Sequence, residues 1–154
     1  MIDVAAVHRA LLAPLLAEGP IPPQRVGRRG MPFLPPSGDV CHALTSVVWE
    51  RNGKSGPALW EGAGMLQILV RAPIGIDEDA LLVEAGKVAA LYAPHMDGPP
   101  LAYAVRITQV AVMSVVTLSS AGGSADGTDA PGRWITAPVQ IDFRVERVET
   151  FASP

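Results

Sequence analysis

The residues that could do chemistry are few, and their spacing decides between readings. Cys41 stands beside His42, a thiol next to an imidazole, the two groups from which a nucleophile and its base are made. Both fall in residues 40–50, VCHALTSVVWE, which read as a strand, and adjacent side chains of a strand point to opposite faces. Thiol and ring then share no proton, and Cys41 reads as a small residue on a core face. His8, His42 and His95 have no His or Cys partner at i, i+4 spacing, so no metal site is expected. Residues 52–56, NGKSG, could be taken for the end of a phosphate loop, but Val48 stands where its first Gly belongs and no helix follows. Asp77, Glu78 and Asp79 are explained by the start of a helix. No catalytic residue and no cofactor are expected. The candidates left are for contact: Arg25, Arg28 and Arg29, whose forks can meet phosphates or carboxylates or simply stand in solvent, together with Trp49 and Trp60.

Composition narrows the class. A chain of 154 residues, 49% hydrophobic and 18% charged, has the size and profile of one domain with a two-layer core. With 15 Gly and 15 Pro it has many turns, and with aromatics at 5% its core is mostly aliphatic. A net charge of -3 argues against a dedicated nucleic-acid binder. One cysteine excludes an internal disulfide and fits a reducing cytosol. Asp3 and Arg9 are out of place in a secretory signal, and no apolar run is long enough for a membrane helix, so a soluble protein is expected.

The elements follow from periodicity. Residues 64–92 read as a strand, a tight connection and a capped amphipathic helix. Leu66, Ile68 and Val70 make a dry strand face, Pro73 and Gly75 stop the strand, and Asp77 caps a helix whose stripe is Leu81, Ala85, Val88 and Tyr92. A first helix is expected over residues 3–16, capped by Asp3, with Pro14 kinking or ending it near Ala13. Residues 19–36, with six prolines, read as an extended arm, and the strand at 40–50 is apolar on both faces. Residues 101–107 read as a strand with Tyr103, Val105 and Ile107 in phase. The phase then changes, which places a bulge or turn near Thr108 and Gln109 before a second strand through Val110, Val112, Val116 and Leu118. Residues 121–132, AGGSADGTDAPG, suit a flexible hairpin tip. Its partner strand over 135–146 alternates cleanly, with Val139, Ile141, Phe143 and Val145 inward, and Pro138 puts that strand at an edge or a bulge. The sum is one α+β domain over 1–154: a mixed, mostly antiparallel sheet, two helices on one face and a long β-hairpin. The arm and the tip are expected to take a fixed conformation only against a neighbour.

The order of these elements resembles the tail-terminator proteins of long-tailed bacteriophages. The carriers are Pro32-Phe33 ending the arm, the strand from Gly64 to Val70, the turn from Pro73 to Gly75, and Trp134 with Pro138-Val139 opening the last long strand. The resemblance implies a structural protein of a phage or prophage virion, at the head-proximal end of the tail and in the host cytoplasm during assembly. It implies a sixfold ring of identical subunits that caps the tail tube, ends its polymerisation and presents a surface to neck or head-completion proteins. DNA would pass through without sequence-specific binding. A neck or head-completion protein is the near alternative; a small hydrolase using Cys41, or a small-molecule carrier, are alternatives of other classes.

Overall fold

The structure, a computed structural model, describes residues 1–38, 40–117 and 134–149. In chain order these form α1 (Val4–Glu18), β1 (Val26–Arg28), β2 (His42–Lys54), β3 (Leu59–Pro73), α2 (Glu78–Ala90), β4 (Arg106–Val112), β5 (Val116–Thr117) and β6 (Trp134–Val148). The strands build one sheet in the order β1-β2-β3-β6-β4, with β5 also on β6. Of the described strand pairs, only β1–β2 is parallel. The fold is α+β, with a mixed and mostly antiparallel sheet.

The dry faces meet as their periods require. Leu66, Ile68 and Val70 of β3 and Val139, Ile141, Phe143 and Val145 of β6 are buried in one core with Leu81, Ala85 and Val88 of α2 and Val7, Leu11 and Leu15 of α1. Asp3 caps α1 by accepting the Ala6 amide, and Asp77 caps α2 by accepting that of Asp79. Between β3 and α2 the chain turns on Ile76 N–H to the Pro73 carbonyl, with Gly75 at φ 105°, a conformation for which glycine is the natural residue. The two helices are tied together by the Tyr92 hydroxyl, which donates to the Leu11 carbonyl at 2.7 Å. Burial pushes that phenol far above its ordinary range, so it stays a donor at any physiological pH.

Four expectations are corrected. Pro14 does not stop α1, which runs to Glu18. The lost backbone bond and ring clash cost about 3 kcal/mol, and burying Leu15 with part of Leu16 returns about as much. Asn52, Gly53, Gly56 and Pro57 read as a loop, but β2 continues through Asn52 and Gly53 by adding a bulge between Trp49 and Arg51 that restores its pairing with β3. Residues 102–104 form a turn between the extended Leu101 and Val105: Tyr103 and Ala104 sit at φ 58° and 55°, and β4 begins only at Arg106. Long-range contacts impose this turn, the Tyr103 hydroxyl accepting the Asp3 amide at 2.9 Å and the Tyr103 ring lying 3.8 Å from the Arg147 guanidinium carbon. The bulge expected near Thr108 and Gln109 is present, but inside β4. Of the two placements expected for Pro138 the bulge is met and the edge is not: β6 is an inner strand, and on its β4 side residues 113–115 face only 137–138. The Pro138 carbonyl accepts the Met113 amide, so its missing N–H points to the same side, just past the last β4 pair, and β3 loses no bond.

The arm is also more regular than expected. Residues 26–28 pair with Ala43, Leu44 and Thr45, the Arg29 amide donates to the Thr45 carbonyl, and the Thr45 hydroxyl donates to the Gly27 carbonyl. At Gly27 a Cβ would meet Leu44 and Phe33 side chains at 2.7 Å, so the close crossing needs glycine. The hairpin tip expected at 121–132 and the tail at 150–154 lie outside the described residues.

Candidate interaction surface

The arginines of the arm separate in role. Arg25 is half-buried and donates through Nη1 to the Cys41 carbonyl at 3.1 Å, fastening the arm to the head of β2. Arg28, which ends β1, and Arg29 just after it are exposed. Cys41 itself lies one residue before β2, half-buried, and its thiol is pushed up first by burial, then by Glu84, with Arg25 opposing. That is the reverse of an activated thiolate. His42 is fully buried, tilted on Phe33 at 5.7 Å and edge-on to Trp134 at 4.7 Å. Among the described residues no group of three or more His, Cys, Asp or Glu could hold a metal.

Trp49 and Trp60, the two candidate contact tryptophans, are engaged within the subunit. Trp49 donates through Nε1 to His8 Nε2 at 3.1 Å, stacks on the His8 ring, and meets Phe143 edge-on at 5.1 Å. It is the seat of α1 on the sheet. Trp60 donates to the Glu149 carboxylate, which Lys54 also reaches at 3.1 Å and the terminal amine at 3.6 Å. These contacts, chiefly the Trp60 and Lys54 hydrogen bonds, hold the Glu149 carboxyl below its usual range.

The His8 contact has a pH consequence. As acceptor from Trp49, His8 must be neutral, and burial lowers its pKa below 6.5. The unfolded chain therefore takes the proton first, so the contact's stability is complete above about pH 6.5 and is lost as pH falls towards the folded value. We expect the difference in melting midpoint between wild type and His8→Gln to shrink between about pH 7.5 and pH 5. A difference independent of pH in that window would show that His8 does not titrate on unfolding.

What sequence reasoning missed is how much of the sheet is left uncovered at its margins. Beyond Thr45 no described strand pairs with the outer edge of β2, and none pairs with the outer edge of β4. Val48, on the sheet face away from the helices, is 43% exposed, with Leu44, Met65 and Leu69 half-buried beside it. The one hint in the sequence was the apolar character of both faces of residues 40–50.

No family model and no curated protein matches the sequence. A solved structure matches 99% of this chain and 100% of its own at a TM-score of 0.58 and 16% identity, a likeness of fold alone.

Proposed function

We propose that the chain is the subunit of a tail-terminator ring in a long-tailed bacteriophage or prophage. The ring caps the tail tube, ends its polymerisation and joins it to the neck or head-completion proteins, with DNA passing through. The observation that supports this most is a domain whose helical side is closed over a full core while, among the described residues, no strand pairs with the outer edges of its sheet. A subunit built for lateral contact needs such edges, and a monomer has reason to hide them.

The motifs that carry the resemblance hold structural positions consistent with it. Phe33 backs the His42 ring, Gly64 to Val70 is the middle of β3, the turn from Pro73 to Gly75 starts α2, and Trp134 opens β6. The work of such a protein is geometric, with no bond made or broken. The test is molar mass by light scattering with and without tail-tube protein, together with tube length by electron microscopy. A closed oligomer of about six subunits that shortens tubes is expected. A chain that stays monomeric in both conditions and leaves tube growth unchanged would overturn the proposal.

A further inference from the structure

We infer that subunits join edge to edge, the outer edge of β4 in one copy pairing with the lower edge of β2 in the next, with Glu50 of one facing Arg106 of the other. This rests on the ring reading and names its interface. The argument begins with strand register. Glu50 lies in the bulge between Trp49, paired with Gly64, and Arg51, paired with Ala63. Gly64 and Ala63 pair with Phe143 and Arg144, and these pair with Ile107 and Arg106. Glu50 and Arg106 thus stand at one height on opposite margins of the sheet, both exposed. By the same register Ser46 is level with Ala111, and Val48 with Gln109.

Polarity allows the junction. Between the two margins lie four strands, β2, β3, β6 and β4, each antiparallel to the next, so β4 runs opposite to β2. Two copies in the same orientation, side by side, bring β4 against the neighbour's β2 in antiparallel alignment, and the contact is head-to-tail, the kind that closes into a ring. The arm leaves room for it: β1 pairs with β2 only as far as Thr45, and no described strand pairs with that edge of β2 beyond it.

Charge selects this junction over others. Arg106 and Arg144 are directly opposite on neighbouring strands, two like charges, and neither is in an ion pair with a described carboxylate. Such a pair is unfavourable in the free subunit. Glu50 at the other margin likewise has no ion-pair partner among the described residues. The junction brings the unpaired carboxylate to the unbalanced arginines, and bulges at the same height on both edges, Trp49/Arg51 and Ile107/Gln109, discourage pairing out of register.

The test is charge exchange in the full chain. Glu50→Arg and Arg106→Glu should each shift the concentration at which the ring forms upward by on the order of tenfold or more, because every junction acquires a like-charge contact or loses its pair. The double exchange should restore assembly. A second measurement does not depend on those variants: Val48→Cys with Gln109→Cys, in a Cys41→Ala background, should give covalent multimers on oxidation. A wild-type ring that all charge variants retain, with no crosslinking of the cysteine pair, would overturn the edge assignment and leave the ring reading standing. A wild-type chain that never forms a ring would overturn the ring reading itself, and the junction with it.

Discussion

Ile68→Asp should abolish cooperative unfolding and leave the chain insoluble or collapsed. Ile68 is fully buried in β3, paired with Thr45 on one side and Val139 on the other, in the core closed by α1 and α2. Aspartate there removes the apolar contacts of isoleucine and puts a carboxyl where solvent does not reach. The group either stays ionised without a partner or takes a proton and remains unsatisfied, and either route costs about 4 kcal/mol or more. A domain of ordinary stability has about 5–15 kcal/mol in all, so most of its margin goes with one residue. Thermal melting followed by far-ultraviolet circular dichroism checks this. A soluble Ile68→Asp protein that melts cooperatively near the wild-type midpoint would mean that β3 does not bury this face.

Ile68 could be placed from sequence because its environment is set by local period. Leu66, Ile68 and Val70 repeat every second residue and Leu81, Ala85 and Val88 at helical spacing, and each pattern names its own buried face before any partner is known. The same holds for Val139 to Val145 in β6. Tyr103 shows where this stops. Its alternation with Val105 and Ile107 is that of a strand, yet its backbone is left-handed, held by Arg147 and by the amide of Asp3, 100 residues away. No window along the chain contains both partners. Trp49 is similar: its indole is a support for α1 because His8, 41 residues earlier, packs against it. The candidate interface is more remote still. Glu50 and Arg106 are ordinary surface charges in the sequence, and only the register of four strands sets them at one height. Pro138 leaves edge and bulge open in the sequence, because proline signals a missing donor and which of the two absorbs it depends on where β4 ends.

Gly64→Ala should damage the core of the sheet, and its comparison with Gly62→Ala separates backbone from side-chain crowding. The two glycines flank Ala63 in β3 and leave the helix-facing side of the sheet without side chains where Trp49, Phe143 and Ile2 converge. A Cβ at Gly62 would meet the Trp49 ring at 2.6 Å and the ends of Ile2 and Val145 at 3.1 Å. These are side chains, and the indole and the N-terminal residues can move to relieve part of the contact. A Cβ at Gly64 would instead be driven into the Val48 carbonyl oxygen and lie 3.1 Å from the Trp49 Cα, with Phe143 Cζ at 3.0 Å on its other side. Backbone atoms of β2 cannot yield without disturbing the β2–β3 ladder next to its bulge, and the ring of Phe143 is locked edge-on against Trp49. Alanine's ordinary advantage over glycine in an extended strand, about 0.5–1 kcal/mol, is too small to offset that displacement. We therefore expect Gly64→Ala to cost about 2–3 kcal/mol by denaturant unfolding, as overpacking of a tight core does, and Gly62→Ala distinctly less. Equal costs at the two positions would show that the β2 backbone is free to shift, and that the Trp49 seat for α1 is held by the indole contacts with His8 and Phe143 alone.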